Sequence, residues 1–245
     1  MKRIRLDQAL VEGGHFASRE QARRAVMAGQ VEVDGRRVDK AGTPVAPDAE
    51  LAVIGPKEPF VSRAGRKLAD ALDRLGLDPA GMVCLDVGAS TGGFTDCLLQ
   101  RGAARVYALD VGYGQLDAGL RADPRVVVME RVNARHLPAD ALPERCDLIT
   151  VDVSFISLGK VVPALVPHLA ADGRLLVLIK PQFEAGRGAV GKGGILRDEA
   201  VRRRTVERVV GELSALGLEP LATLDSAVAG AGGNREAFAL LRRKR

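Results

Sequence analysis

The chain has 245 residues, of which 47% are hydrophobic and 27% charged, with a formal net charge of +5. This composition is typical of globular proteins, and the length suffices for one medium-sized domain and a small one. No segment approaches the roughly 20 apolar residues of a membrane-spanning helix, and the first residues show no signal-peptide pattern, so we expect a cytoplasmic protein without a membrane partner. Residues 1–67 hold 13 Lys or Arg against 9 Asp or Glu, which suggests a polyanionic partner.

Residues 1–54 predict a small domain of mixed helices and strands. Ser18-Arg-Glu-Gln21 matches a capping box, which marks the start of a helix. Asp34-Gly35 is a typical hairpin turn between alternating apolar residues. The predicted elements are a helix around Leu6–Leu10, a helix over 19–28, a strand over 30–34 and a strand over 50–54.

Three motifs of this region resemble those of S4-type RNA-binding domains. They are Arg5-Leu-Asp-Gln-Ala-Leu, Ser18-Arg-Glu-Gln-Ala and Gly29-Gln-Val-Glu-Val-Asp-Gly-Arg-Arg-Val. Such domains recognise RNA mainly through backbone and shape, which suits a region rich in arginine and nearly free of aromatic residues. The arginines expected to contact RNA are Arg5, Arg19, Arg23, Arg24, Arg36 and Arg37, together with Arg63 further along the chain.

Residues 55–62 predict a linker, and residues 63–245 predict a second, larger domain. In the larger domain apolar strands alternate with amphipathic helices, which indicates a doubly wound, Rossmann-like α/β sheet. A helix is expected to run from about Ser62 to Leu75. The other predicted helices cover 93–101, 114–121, 157–169 and 198–216. Strands are predicted at 82–87, 105–110, 126–130, 147–152 and 174–180, with a closing pair at about 219–225 and 236–242.

A glycine-rich turn, Asp86-Val-Gly-Ala-Ser-Thr-Gly-Gly-Phe94, connects the first of these strands to a helix. Glycines allow a tight turn and let a ligand approach the backbone, and Asp110, which ends the next strand, can accept hydrogen bonds from both ribose hydroxyls of an adenosine. These features alone fit either NAD or S-adenosylmethionine. The candidate cofactor-contacting residues are Asp86, Gly88, Ala89, Ser90, Thr91, Gly92, Gly93, Phe94, Asp110, Asn133 and Asp152.

Polar residues follow the later strands at the edge where such sheets bind ligands. Asp152 ends the fourth strand and Lys180 the fifth, so their side chains are expected to meet, while Glu236 begins the last strand.

The larger domain resembles the FtsJ-type ribose 2′-O-methyltransferases. With its N-terminal domain, the chain resembles the hemolysin A (TlyA) family of rRNA cytidine-2′-O-methyltransferases. This resemblance implies a class I methyltransferase fold, S-adenosylmethionine as cofactor, and ribosomal RNA or a ribosomal subunit as partner. It also implies a catalytic tetrad of Lys67, Asp152, Lys180 and Glu236. The motifs that carry it are Ser62-Arg-Ala-Gly-Arg-Lys67-Leu, Asp86–Thr95, Asp110-Val-Gly-Tyr-Gly-Gln115, Asp152-Val-Ser-Phe-Ile-Ser157, Lys180-Pro-Gln-Phe-Glu184 and Gly233-Asn-Arg-Glu236.

The expected chemistry suits these residue types. A ribose 2′-hydroxyl is a poor acid, so a side chain must take its proton or stabilise the alkoxide, and Lys180 is the candidate. The pKa of that amine would have to fall well below about 10.4, which burial and a cationic Lys67 would favour and Asp152 would oppose. Glu236 is expected to position Lys67 or the sugar. Which lysine is the base, which nucleotide is modified and the oligomeric state stay open.

Other motifs give weaker predictions. Gly186–Lys192 has the spacing of a P-loop but lacks its Ser or Thr, so we interpret it as a glycine-rich closing loop over the substrate. Three scattered cysteines and three histidines show no metal-ligand spacing, and no metal is expected. The alternative functions are a nicotinamide-dependent oxidoreductase, a non-catalytic RNA-binding or ribosome-assembly factor, and a membrane-active hemolysin.

Overall fold

The computed structural model describes residues 3–27, 29–54, 59–191 and 193–244. Two compact units divide the chain, an N-terminal unit over Met1–Lys57 and a C-terminal unit over Glu58–Arg245. The first four residues of the expected linker, 55–58, lie outside the described residues, as does Lys192 of the P-loop-like segment.

The N-terminal unit packs two helices on two small antiparallel sheets, with Leu6, Leu10, Val26 and Val31 fully buried in its core. The predicted hairpin is confirmed, because Val31–Val33 pairs with Arg36–Arg37 and the two residues between these strands, Asp34 and Gly35, form the turn with φ of 53° and 72°. The elements are β1 (Ile4–Arg5), α1 (Leu6–Glu12), α2 (Arg19–Met27), β2 (Val31–Val33), β3 (Arg36–Arg37), β4 (Pro44–Val45) and β5 (Leu51–Val53).

The C-terminal unit alternates strands and helices as the sequence predicts. Its first half contains α3 (Arg63–Leu75), β6 (Val83–Val87), α4 (Gly93–Gln100), β7 (Arg105–Asp110), α5 (Ala118–Ala122), β8 (Val126–Glu130) and β9 (Cys146–Val151). Its second half contains α6 (Leu158–Leu165), β10 (Leu169–Ile179), α7 (Pro181–Glu184), α8 (Glu199–Ser214), β11 (Leu218–Asp225) and β12 (Ala237–Arg243). Single 3-10 turns lie at Ala134–His136, Val166–His168, Arg187–Ala189 and Ala231–Gly233.

A seven-stranded sheet of order β11-β12-β10-β9-β6-β7-β8 forms the centre of this unit. Strands β6 to β10 run parallel to one another, whereas β12 is antiparallel to both β10 and β11 at one edge. Successive side chains point to opposite faces, so Cys84 packs into one apolar layer and Leu85 into the other. Helices cover both faces, which confirms the doubly wound α/β fold.

Three elements of the C-terminal unit differ from their predicted bounds by more than two residues at one end. Helix α5 begins only at Ala118, because the Asp117 side chain accepts a hydrogen bond from Gly119 and caps it there. Helix α6 ends at Leu165 and passes into a 3-10 turn that contains Pro167. Strand β10 begins five residues early, at Leu169, with an irregular register between Leu169 and Arg174.

The basic C-terminal residues are bonded within their own unit. Arg242 pairs with Glu219 at 2.8 Å, and the Lys244 Nζ donates to the Ser214 carbonyl at 3.0 Å. Arg243 donates to the Val166 carbonyl, so these cations satisfy carbonyls at the ends of helical segments.

Among the described residues, no helix is both long and apolar enough to span a membrane. Cys84, Cys97 and Cys146 are buried free thiols, and burial raises the pKa of each above its ordinary value. Such thiols are poor nucleophiles and act here as small core residues.

Candidate active site

The glycine-rich turn after β6 forms a close-packed cradle at the carboxyl edge of the sheet. The Gly88 and Ala89 N–H groups both donate to the Leu109 carbonyl, at 2.8 and 3.1 Å, which holds the turn against the end of β7. Gly88 has φ of +86°, and a Cβ there would lie 2.5 Å from the Asp152 carbonyl oxygen. A Cβ on Gly93 would lie 2.2 Å from Ser62 Oγ at the start of α3. Only glycine therefore fits either position without displacing its neighbours.

A cavity of about 200 Å³ opens between this cradle, the start of α3 and the ends of β9 and β10. One wall of the cavity is the exposed backbone of the cradle, which allows close contact with a ligand. The opposite wall carries the carboxylate of Asp152 and the amine of Lys180. The lining residues are Ser62, Ala64, Gly88, Ala89, Ser90, Thr91, Phe94, Asp152, Ser154 and Lys180.

Asp110 lies at the rim of the cradle with both carboxylate oxygens engaged. The Ser90 N–H donates to its Oδ2 at 2.8 Å and the Gly112 N–H to its Oδ1 at 2.7 Å. These bonds fix the carboxylate, while each oxygen retains a lone pair that can accept a ribose hydroxyl.

Asn133 is exposed and follows β8, where its Oδ1 accepts a hydrogen bond from the Arg135 N–H at 3.0 Å. The preceding residue, Val132, donates to the Asp110 carbonyl at 3.1 Å. Asn133 therefore lies next to the segment that begins at Asp110. It stays a predicted cofactor contact, at the edge of the adenine ring.

Asp86 lies behind the cradle wall and does not reach the cavity. The side chain is fully buried, and it accepts hydrogen bonds from the hydroxyls of Thr95 at 2.7 Å and Thr150 at 3.3 Å. Burial raises the pKa of Asp86 to about 7, with the charge of Asp152 adding to the rise and the Thr95 hydrogen bonds opposing it. A carboxyl with no exposed surface supports the cradle from beneath, so the Asp86 side chain offers no surface to a ligand here, and its role toward a cofactor stays a prediction.

Lys180 and Asp152 meet at the cavity wall. The Lys180 Nζ lies 2.5 Å from Asp152 Oδ1, an ion pair whose angles fall outside those of a hydrogen bond, and both side chains are largely buried. The same Nζ donates to Ser154 Oγ at 2.9 Å. Asp152 directly follows β9 and Lys180 directly follows β10, which is the neighbouring strand, so the sheet itself brings the two together.

The other two tetrad residues form a second, deeper cluster. The Lys67 Nζ donates to Glu236 Oε2 at 2.7 Å, and the Gln182 amide donates to Glu236 Oε1 at 3.1 Å. Lys67 is 11% exposed and Glu236 2% exposed. The pairing of Ile179 with Ala237 makes Glu236 and Lys180 neighbours across the two strand ends. Lys67 and Glu236 are absent from the described cavity lining, which distinguishes this pair from the Lys180 pair.

The loop after β9 also contains an exposed aromatic residue that sequence reasoning missed. Phe155 is 89% exposed, its φ of +64° is strained for a non-glycine residue, and its ring lies 4.7 Å from that of Phe183. Ser62, Ser154 and Gln182 were missed as well. The signal available for Ser154 and Phe155 was their position directly after a strand that ends in Asp152.

All seven arginines assigned to RNA contact are exposed. Arg5 and Arg19 are also held in place, because each contacts the buried carboxylate of Asp7, at 3.0 and 3.1 Å. The hydrogen bond from Arg5 is the largest cause that lowers the pKa of Asp7.

The P-loop-like segment is not a strand-to-helix turn. The residues that follow the segment are bonded to the Asn234 side chain. The Asn234 amide donates to the Gly194 carbonyl at 2.9 Å, and the Asn234 Oδ1 accepts a hydrogen bond from the Leu196 N–H at 2.9 Å. No group of three His, Cys, Asp or Glu residues suited to a metal ion occurs among the described residues.

Comparison with known proteins agrees with this geometry. The profile of FtsJ-like methyltransferases matches residues 60–243, and that of S4 domains matches residues 4–51. The chain is 47% identical to the 16S/23S rRNA (cytidine-2′-O)-methyltransferase TlyA of Mycobacterium tuberculosis, over 98% of this chain and 90% of that protein. It is 40% identical to Hemolysin A of Brachyspira hyodysenteriae, over 96% and 98% of the two chains. A solved structure described as a candidate hemolysin from Streptococcus thermophilus superposes with a TM-score of 0.78 at 41% identity, covering 100% of this chain and 90% of that one.

Proposed function

This chain belongs to the FtsJ-like methyltransferase family and carries an S4 domain, and from that premise we propose that it methylates the ribose 2′-hydroxyl of a cytidine in ribosomal RNA. S-adenosylmethionine is the methyl donor. The observation that carries the proposal is one cavity in which a glycine cradle faces an Asp152–Lys180 pair. A nicotinamide oxidoreductase would have no use for this amine and acid or for the S4 domain. We propose the cytoplasm as its compartment, because the proposed substrate is ribosomal RNA.

The residues present fit the donor. The backbone of Gly88–Thr91 offers a close surface for its methionine part, and Asp110 is oriented to hold its ribose. When bound, S-adenosylmethionine supplies an electrophilic methyl group on a sulfonium.

The four residues of the proposed tetrad have different roles in proton transfer and positioning. Lys180 faces the cavity and accepts the proton of the 2′-hydroxyl or stabilises the alkoxide that forms. Asp152 orients that amine. Lys67 and Glu236 position the strand ends from the deeper cluster, because their ion pair and the Gln182 hydrogen bond tie α3 and α7 to β12. Holding the hydroxyl and the methyl group in line supplies much of the acceleration.

A labelled-methyl assay tests this function. The protein is incubated with S-adenosylmethionine carrying a labelled methyl group and with free rRNA or isolated ribosomal subunits. We expect label in RNA that resists alkaline cleavage next to a cytidine, since a 2′-O-methyl group removes the attacking hydroxyl. If neither free rRNA nor subunits gain label, while the protein still binds RNA, the non-catalytic RNA-binding alternative is correct.

Asp110→Ala is expected to weaken S-adenosylmethionine binding by about tenfold or more, because hydrogen bonds to a charged acceptor contribute roughly 1.5–3 kcal/mol each. Titration calorimetry measures this affinity. Asp140→Ala, which removes an exposed carboxylate from a turn elsewhere on the unit, should leave it unchanged. Equal affinities for the Asp110 variant and the unaltered protein would exclude the ribose-holding role.

Phe155→Ala is expected to raise KM for RNA by about tenfold with little change in cofactor affinity. The exposed Phe155 ring, next in the chain to Ser154 of the cavity lining, suits stacking of the target base, an interaction of about 1–3 kcal/mol per base. Phe155→Tyr keeps the ring and should restore KM. Steady-state kinetics at varied RNA concentration measures this KM. Equal KM values for Phe155→Ala and Phe155→Tyr would contradict the stacking role.

A further inference from the structure

We propose that Ser154 is a positioning residue that aims the Lys180 amine at the 2′-hydroxyl; this inference rests on the proposed function. Ser154 lines the cavity, and its Oγ accepts a hydrogen bond from Lys180 Nζ at 2.9 Å. Asp152 Oδ1 contacts the same nitrogen at 2.5 Å. Two of the directions around this nitrogen therefore point to fixed oxygen atoms.

The bonds around the Lys180 nitrogen explain the role proposed for Ser154. A neutral lysine amine has two N–H bonds and one lone pair. One N–H bond points to Ser154 Oγ, and the ion pair with Asp152 Oδ1, although it is not a hydrogen bond, restrains the same nitrogen on a second side. With both restraints in place, the lone pair of the neutral amine is held toward the cavity, whose wall includes Lys180. Without the serine hydroxyl, the amine can rotate about its last bond, and the lone pair points toward the substrate for only part of the time.

The residues that follow Ser154 are held in place, which restrains the position of its hydroxyl. Next to it, Phe155 is held at a strained φ of +64° with its ring against Phe183. Further along, the Leu158 N–H donates to Glu184 Oε1 at 2.8 Å. These contacts lock the loop after β9 onto α7, the helix that directly follows Lys180. Strain of this kind is typical of loops that hold functional side chains.

A matched pair of variants tests the hydroxyl alone. Threonine and valine have nearly the same shape, but only threonine keeps the hydroxyl. We expect Ser154→Thr to keep kcat within about threefold of the original value. Ser154→Val and Ser154→Ala should lower kcat by about 10- to 100-fold, which is less than the full contribution of an acid–base group. The KM for RNA and the cofactor affinity should stay unchanged in all three variants. Ser214→Ala, which removes a hydroxyl bonded to the Val210 carbonyl on α8, is the control.

The pH profile separates positioning from a structural effect. The charged groups near Lys180 are Asp152 after β9, Glu184 on α7, and the linked pair of Lys67 on α3 and Glu236 before β12. None of these changes in the Ser154 variants. We therefore expect the pH profile of kcat to change shape in Ser154→Val and to return in Ser154→Thr, whereas a purely structural defect would lower kcat by the same factor at every pH.

The variants separate the positioning role of Ser154 from the proposed methyl transfer on which that role rests. If Ser154→Val and Ser154→Thr share one kcat and one pH profile while Lys180→Ala is inactive, Ser154 has no positioning role and the proposed function stands. If Lys180→Ala retains activity, the assignment of the reacting amine itself fails. Should melting curves show that Ser154→Val and Ser154→Thr are destabilised equally, their kcat ratio still isolates the hydroxyl.

Discussion

Lys180→Ala is expected to lower the rate of methyl transfer by about 10²- to 10⁴-fold, the range that a general acid–base group contributes. The reason is that Lys180 is the one tetrad amine whose side chain lines the described cavity. Cofactor affinity should stay nearly unchanged, because the glycine cradle and Asp110 do not depend on this side chain. Single-turnover methyl transfer and calorimetry on the same preparation measure the two quantities.

Lys160→Ala is the matched control for this prediction. Lys160 is an exposed lysine on α6, and its loss should leave both rate and affinity as they were. A Lys180→Ala enzyme with more than a tenth of the original rate would show that proton transfer does not depend on this amine. Parallel loss of rate and cofactor affinity would instead indicate damage to the cavity.

Gly88→Ala is expected to abolish measurable cofactor binding and to destabilise the C-terminal unit. An L-residue at φ of +86° costs roughly 1–2 kcal/mol by itself. In addition, the new Cβ would lie 2.5 Å from the Asp152 carbonyl oxygen, so the cradle and the end of β9 must move apart. This movement displaces Asp152 and with it the partner of Lys180.

Gly217→Ala separates these two effects. Gly217 has φ of +78° in the turn before β11, and nothing lies within 4 Å of a Cβ added there. Thermal unfolding should show a loss of stability in both variants, whereas calorimetry should show lost S-adenosylmethionine affinity in Gly88→Ala alone. If Gly88→Ala binds the cofactor as well as Gly217→Ala, the cradle does not contact the donor.

Much of the fold could be predicted from the sequence because its strands are continuous apolar runs that end in polar residues. Strands β7 and β8 begin and end where the pattern placed them, and the predicted closing pair of strands is present, as the antiparallel strands β11 and β12. Bounds were missed where side chains rather than periodicity decide them, as with the Asp117 cap of α5 and Pro167 after α6. The family resemblance is confirmed by the profile matches.

The site could be predicted less completely, because sequence position does not say which way a side chain faces. Asp86 and Asp110 both end strands, yet Asp86 is buried against two threonines and Asp110 is held at the rim by two backbone N–H groups. The sequence favoured Lys180 over Lys67 as the base but left the choice between the two lysines open. Only the structure separates Lys180 in the cavity wall from Lys67, which is paired with a 2% exposed Glu236.

Ser154 and Phe155 lie in a loop, where no periodicity reports on contacts. A strained φ and an exposed ring have no signature in composition, so the position of both residues directly after Asp152 was the one signal that the sequence offered. The hemolysin name of the Brachyspira relative adds nothing to this site, whose residues suit group transfer to a sugar hydroxyl.

The most direct test is the position of the methyl group in ribosomal RNA. Ribosomal RNA from cells that lack this protein is compared, by mass spectrometry of its nuclease fragments, with RNA from cells that produce either the unaltered chain or Lys180→Ala. We predict a 2′-O-methylcytidine that appears only with the unaltered chain. A methyl group on a base, or equal 2′-O-methylation by the Lys180→Ala enzyme, would contradict the account.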